Sequence, residues 1–262
     1  MLHSLKALGH FHIRAVDGEI GHIQEGYFDD ERWVVRYLVA RTGGWLSGRE
    51  VLISPYSIDG IDERAHAVLT RLTRRQVQGS PSIDTAGPIS RRYESSYLRY
   101  YGYPLYWPYT TFWAWGAVPQ VTPVPAVAEE RPDSGGLPEP NSGDAEEDVH
   151  LRSSKEVTDY HIQGSDEAVG HVEDFLFEED TWAIRYLVAD TRNWLPGKRV
   201  LVSPEWIREV TWSDRTVVVE LTRAEIEGSP ELHPDRLPSR DYEADLHRHY
   251  RRAGYWGERP HR

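Results

Sequence analysis

The 262-residue chain contains no cysteine and only one methionine. Without thiols it cannot form disulfides, thiolate metal sites, iron–sulfur clusters or a cysteine nucleophile. Long apolar runs are also missing, since no stretch reaches the ~18 residues that a membrane-spanning helix needs. Residues 1–6 lack the cationic and then apolar order of a secretory signal. We therefore expect a cytoplasmic protein without a membrane-spanning helix.

Basic side chains are outnumbered, with 30 Lys and Arg against 42 Asp and Glu and a net charge of −12. Such a surface repels the phosphates of DNA and RNA, so no nucleic-acid partner is expected. Apolar residues make up 39% of the chain and charged residues 27%, which is enough of both for packed cores with a solvated surface.

An internal duplication organises the chain. Shifting the sequence by 149 positions places Gly21-His22 on Gly170-His171 and the run from Arg36 to Ala40 on Arg185 to Ala189. The same offset aligns further pairs, namely Trp33 with Trp182, Trp45 with Trp194, Ser54-Pro55 with Ser203-Pro204, Leu72-Thr73-Arg74 with Leu221-Thr222-Arg223, and Tyr93-Glu94 with Tyr242-Glu243. A match without a gap indicates two copies of one module.

The segment between the copies, residues 116–150, is rich in proline and acids and almost free of aromatic residues. It cannot bury enough apolar surface to offset its ordering entropy, so we predict a disordered linker. The predicted parts, in order, are a first barrel (1–85), a helical and aromatic-rich tail (86–115), the linker (116–150), a second barrel (151–232) and a second helical tail (233–262). We expect the two repeats to fold independently.

Each copy has a β pattern. In the first, residues 19–28 and 32–40 are rich in β-branched and aromatic side chains and flank the polar turn Asp29-Asp30-Glu31, which predicts a hairpin. Both faces of the second run are apolar, as in a central strand. Gly21 and Gly170 lie between alternating apolar residues and predict a bulge or a close backbone approach.

Shorter strands are predicted at 50–53, 57–62 and 66–72, a spacing typical of a small barrel. Thr73 is the expected N-cap of a short helix, and residues 90–101 carry an aromatic stripe with helical period. The predicted fold class is therefore all-β with minor α: two small β-barrels in tandem, each followed by a short helical tail.

The glycine-led strand, the run from Trp33 to Ala40 and the strand ending Val51-Leu52-Ile53-Ser54-Pro55 resemble the PRC-barrel family, named for the cytoplasmic domain of the photosynthetic reaction centre H subunit. Both copies carry these marks. The resemblance implies tandem PRC-like barrels that act as a non-enzymatic scaffold or adaptor, without a cofactor. The chain lacks the H subunit's membrane helix and the domain that precedes a similar barrel in the ribosome maturation factor. Neither of those partners is therefore carried over.

Histidines carry the alternative hypothesis. His12 and His22 recur as His161 and His171, and imidazole can ligate a metal or move protons. No H-E-x-x-H motif surrounds them, and Ser54 lacks a G-x-S-x-G elbow, so no enzyme is expected. We favour strand histidines that hydrogen-bond to the backbone, and we keep a histidine-dependent metal or small-ligand protein, conceivably an enzyme, as the alternative.

Other polar residues have structural explanations. Arg36 and Arg185 stand in otherwise apolar strands, and each needs a carboxylate partner if buried. Asp17 and Asp166 are expected to form Asx-turns.

Aromatic residues in polar or proline-rich stretches are the candidate interface for a protein partner or a homo-oligomer. They are Trp45, Trp194, Tyr103, Tyr106, Trp107, Tyr109, Phe112, Trp113 and Trp115. Both tryptophans in the loops also suit a plug that closes the barrel end. The aromatic residues from Tyr103 to Trp115 fit either an interface or a segment that packs within the chain. The sequence leaves these two explanations open. Any membrane contact would be peripheral, since few Lys and Arg accompany these aromatics.

Overall fold

The computed structural model describes residues 1–81, 83, 89–106, 150–191, 198–233 and 236–256. Two seven-stranded sheets and a few short helices make up these residues, so the predicted class, all-β with minor α, is confirmed. The predicted linker lies outside the described residues, except for His150. Among the helices that are described, none is long and apolar enough to cross a membrane.

The strands in chain order are β1 (Leu2–Ser4), β2 (His12–Ala15), β3 (Gly18–Asp29), β4 (Val34–Thr42), β5 (Glu50–Ile53), β6 (Ile58–Asp62), β7 (Ala67–Thr70), β8 (Leu151–Ser153), β9 (His161–Gln163), β10 (Ala168–Glu178), β11 (Ile184–Asp190), β12 (Arg199–Val202), β13 (Ile207–Thr211) and β14 (Thr216–Val219). The helices are α1 (Leu5–Leu8), α2 (Arg74–Gly79), α3 (Arg91–Tyr101), α4 (Ser154–Val157), α5 (Arg223–Glu227) and α6 (Arg240–His249).

The chain divides into two units, each built mainly from one repeat. The first unit comprises Ala7–Ser153 and Glu179–Ala183. The second comprises Met1–Lys6, Ser154–Glu178 and Ile184–Arg262. The sequence assigned residues 1–85 to one barrel, whereas the structure places the first six residues with the other repeat, because β1 pairs with β10.

The two sheets have the same strand order. In the first unit it is β5-β4-β3-β2-β7-β6, and β8 adds to β3. In the second unit it is β12-β11-β10-β9-β14-β13, and β1 adds to β10. Neighbouring strands are antiparallel except β2 with β7 and β9 with β14, which are parallel.

The predicted hairpin is formed by β3 and β4. Almost all residues of β4 are buried, as expected of a central strand. Asp29 accepts hydrogen bonds at 3.1 Å from the N–H groups of both Glu31 and Arg32 and thereby closes the turn. Its second oxygen lies 3.0 Å from Nη2 of the fully buried Arg36. In the second repeat Arg185 forms the equivalent ion pair with Glu178, at 2.6 Å. The predicted ion pairs are therefore confirmed, and the Asp29 carboxylate removes the large cost of leaving the buried Arg36 unpaired.

Gly21 of β3 lies close against the backbone of β4. A Cβ at this position would lie 2.0 Å from the carbonyl oxygen of Arg41, and one at Gly170 would lie 2.1 Å from that of Asp190. No side chain fits within such distances of a backbone atom. The predicted close backbone approach is confirmed in both repeats.

Side chains cap the turns and short helices. Ser54 caps a 3-10 helix over Pro55–Ser57, and Thr73 forms a capping box with Gln76 at the start of α2. The Asx-turn expected at Asp17 is replaced by a longer-range contact, in which its carboxylate accepts the Arg74 N–H at 2.8 Å. The free N–H groups of a helix start attract an acidic side chain, so Asp17 ties the β2–β3 turn to α2.

The tail helices α3 and α6 begin at the N-caps Ser90 and Ser239. Tyr97 of α3 is fully buried, and its hydroxyl accepts the Ser54 N–H at 3.1 Å and donates to the Leu52 carbonyl at 3.0 Å. Tyr97 therefore fixes the tail helix at the end of β5, whereas Tyr100 of the same stripe is 41% exposed and its hydroxyl donates to the Gln76 carbonyl of α2.

Candidate functional site

A buried carboxylate on α3 joins three elements of the first unit. Glu94 is 1% exposed and accepts hydrogen bonds from the hydroxyls of Tyr37 on β4, at 3.0 Å, and Tyr106 after the helix, at 2.5 Å. Arg91 Nη1 lies 3.3 Å from its other oxygen, and the guanidinium of Arg36 lies 4.1 Å from the Tyr106 ring centroid. We call this group the carboxylate cluster.

The second unit contains the equivalent carboxylate cluster at the same 149-residue offset. Glu243 accepts hydrogen bonds from Tyr186 at 3.2 Å and Tyr255 at 2.8 Å, and Arg240 Nη1 lies 3.1 Å away. Arg185 lies 4.2 Å from the centroid of the Tyr255 ring. The duplication has therefore kept a buried acid, two hydroxyl donors and two arginines.

Burial dominates the electrostatics of the cluster. It raises the pKa of Glu94 to about 7, although Arg91 and the two tyrosine hydroxyls act in the opposite direction. Burial also raises the pKa values of Tyr37 and Tyr106, which keeps both hydroxyls protonated as donors. The pKa of Glu243 is raised by the same cause. These groups hold the tail on the sheet through hydrogen bonds between the buried carboxyl group and the two hydroxyls.

Two residues of the candidate interface pack inside the first unit. Tyr106 is fully buried in the cluster, and Tyr103 is 8% exposed and stacks on Tyr101 with ring centroids 5.4 Å apart. Tyr106 falls on Tyr255 at the 149-residue offset, so it serves packing that both repeats share. For these two residues the structure shows packing within the chain. The rest of the aromatic segment, Trp107, Tyr109, Phe112, Trp113 and Trp115, lies outside the described residues, as does Trp194.

Trp45 is half-buried at one end of the first unit. Its Nε1 donates to the Ile20 carbonyl at 2.9 Å, and the guanidinium of Arg74 lies 4.3 Å from its ring centroid. Arg74 starts α2, whose first N–H is held by Asp17, and the neighbouring Val16 is 68% exposed. We call Val16, Trp45 and Arg74 the Trp45 face.

The repeats differ at this face. Arg223 stands at the position of Arg74 and pairs with Glu167 at 2.8 Å and Glu227 at 2.7 Å. In the first repeat those two acids are replaced by Gly18 and Gln78. The first repeat therefore lacks the two carboxylates that neutralise the arginine in the second, and its guanidinium rests on an aromatic ring.

The repeated histidines do not share one environment. His12 is exposed and its Nδ1 lies 3.0 Å from Glu19 Oε1, so an exposed side-chain hydrogen bond replaces the expected backbone hydrogen bond. In the second unit His161 and His171 border a cavity of about 700 Å³, and Nε2 of His171 lies 3.7 Å from Asp190. Within the described ranges no three His, Asp or Glu side chains are arranged to hold a metal ion.

Comparison with known proteins identifies one segment. Residues 155–226, which run from α4 into α5, match the family model of the PRC-barrel domain. No curated protein gives a significant match to the chain. The second repeat thus contains a PRC-barrel match, and the sheet of the first unit has the same strand order.

Proposed function

We propose that the chain is a non-enzymatic scaffold or adaptor, in which two PRC-like repeats similar to the cytoplasmic barrel of the reaction centre H subunit bind a protein partner in the cytoplasm. The duplicated carboxylate cluster is the observation that carries the proposal. Duplication has kept buried acids, arginines and tyrosines, and in both units these groups attach a tail to a sheet. Their chemistry maintains architecture, as a scaffold requires.

The Trp45 face is the proposed docking surface. Tryptophan and arginine are residue types that carry much of the binding energy of protein interfaces, and Val16 adds exposed apolar surface. The first repeat lacks the acids that neutralise the equivalent Arg223, so an acidic partner can supply them. The proposed partner is a protein that presents a carboxylate beside an apolar side chain.

Charge reversal at Arg74 tests this assignment. A tagged chain should recover a defined protein from a lysate of the source cells, and Arg74→Glu should lower that recovery about tenfold or more, since a lost interfacial charge pair typically costs that much. The exposed Arg64→Glu makes the same charge change in the same unit and should leave recovery unchanged. Equal loss in both variants, or no loss in either, would contradict docking at the Trp45 face.

A second candidate function is a metal or small-ligand protein, which the cavity beside His161 and His171 favours. Calorimetric titration with Zn²⁺ at neutral pH tests it, with His171→Ala as the control. One-site binding that disappears in His171→Ala would place this candidate first. We expect no saturable binding, because in the described part of the chain the two imidazoles, even with Asp190 beside His171, are not arranged with a third ligand to hold a metal ion.

A further inference from the structure

The two repeats exchange their first strands. β1, from the start of the first repeat, pairs antiparallel with the end of β10, with Leu2 opposite Glu178. β8, from the start of the second repeat, pairs with the end of β3, with Leu151 opposite Asp29. Leu2 and Leu151 are 149 positions apart, as are Asp29 and Glu178, so the exchange is reciprocal and has one register.

Side chains at both exchanged strands match as well. Ser4 donates to Asp174 at 2.5 Å, and the carboxylate of Asp174 also accepts the Lys6 N–H at 2.9 Å. At the equivalent positions Ser153 donates to Glu25. The leucine of each strand is buried, with Leu2 at 6% and Leu151 at 3% exposure. Each docked strand is therefore held by backbone pairing, a hydroxyl–carboxylate bond and a buried apolar anchor.

A third segment also crosses to the other repeat. The turn Glu179–Ala183 of the second repeat belongs to the first unit. The carbonyl of Trp182 accepts the Val35 N–H at 2.8 Å, and Glu179 accepts the Ile61 N–H at 3.3 Å. The first unit thus receives two segments from the second repeat.

Removal of an exchanged strand would leave the end of β3 or β10 with unpaired N–H and C=O groups. Such an open edge is a template for another strand, and strand addition to an edge is a common mode of recognition between chains. Completion of each sheet therefore depends on the other repeat.

We propose that each repeat is the docking partner of the other through these exchanged strands, so that the two repeats stay together as a noncovalent assembly when the linker is cut. The proposal does not depend on the adaptor function, since no external partner takes part.

A cysteine pair in the cysteine-free chain tests the exchange. The full-length chain receives a protease site within residues 126–148 together with Leu2→Cys and Glu178→Cys. Opposed residues of paired strands place their Cβ atoms about 4.5–5.5 Å apart, close to what a disulfide requires. After oxidation and cleavage, we expect one band of full-length mass on a non-reducing gel and two fragments after reduction.

The matched control is Leu151→Cys with Glu178→Cys, which shares the acceptor position. Its disulfide forms only if β8 folds back onto its own repeat, and it cannot join the two fragments. We expect no cross-link within the C-terminal fragment of this variant. A cross-link in the control, or separate fragments from the Leu2 pair, would overturn the proposal.

Association without a cross-link provides a second measurement. After cleavage, the otherwise unaltered chain should elute from a sizing column at the position of the intact protein. Leu2→Asp combined with Leu151→Asp should raise the dissociation constant of the two fragments by about 100-fold or more, because both apolar anchors are lost. Leu237→Asp, the same change at an exposed leucine, should leave elution unchanged. Fragments that separate without any substitution would also overturn the proposal.

Discussion

Gly21→Ala is expected to destabilise the first unit by about 3 kcal/mol or more, the upper range for overpacking. The added Cβ would lie 2.0 Å from the Arg41 carbonyl oxygen and 2.8 Å from the Thr42 Cα. Both atoms belong to β4, so relief requires the central strands to separate. Strand propensity acts in the other direction, since alanine is a better strand residue than glycine. Denaturant unfolding followed by tryptophan fluorescence measures the loss.

Gly44→Ala is the control for this effect, because nothing lies within 4 Å of the Cβ that it would add. We expect a change of no more than about 0.5 kcal/mol there, as at an ordinary surface site. Gly170→Ala should reproduce the large loss in the second unit, where the Asp190 carbonyl oxygen takes the place of Arg41's. A Gly21→Ala protein as stable as the wild type would remove the close approach as the reason for glycine.

Local patterns in the sequence predicted much of the fold. The hairpin of β3 and β4, the capping of α2 by Thr73 and the pairing of Arg36 depend on residues within a few positions of one another. Such features follow from turn chemistry and from the cost of an unpaired buried charge. Gly21 also predicted a close backbone approach, because a missing side chain in an apolar strand indicates a close neighbour.

The strand exchange was not predictable from these patterns. Leu2 and Leu151 stand at equivalent positions of the two repeats, and so do the residues opposite them, Glu178 and Asp29. The hydrophobic pattern, which sets register, therefore does not distinguish the exchanged pairing from an unexchanged one. The choice between the two pairings depends on tertiary contacts between the repeats, which the sequence of one repeat does not contain. The first six residues were therefore predicted to belong to the first barrel, whereas the structure places them with the second repeat.

The carboxylate cluster was missed for another reason. The match of Tyr93-Glu94 with Tyr242-Glu243 is visible in the sequence, but a glutamate in the first turn of a helix normally faces solvent. Its burial depends on Tyr106 folding back over the helix. The constant offset between Tyr106 and Tyr255 was the available signal, since it marks residues of the tail that both repeats retain. The same offset distinguishes Tyr106, which has a counterpart in the second repeat, from the aromatic residues that follow it.

The stability of the first unit is expected to fall as pH rises from 5 to 8. The folded state holds the Glu94 proton with a pKa of about 7, whereas an unfolded glutamate has its ordinary value of 4.5. Between these values the folded state binds more protons, so the unfolding free energy decreases with pH. The difference of the two pKa values corresponds to about 3 kcal/mol, which is lost progressively as pH rises from about 4.5 through 7. Denaturant unfolding at pH 5, 6, 7 and 8 measures the slope.

Glu94→Gln isolates this contribution, because glutamine keeps the shape and the acceptor oxygen for Tyr37 and Tyr106 but does not titrate. We expect the variant to lose the decline between pH 5 and 8 and to equal or exceed the wild type in stability at pH 8. Glu209→Gln, at an exposed position on β13, should keep the wild-type slope. Parallel curves for the wild type and Glu94→Gln would show that the buried carboxylate does not titrate in this range, and that Arg91 and Arg36 hold it ionised throughout.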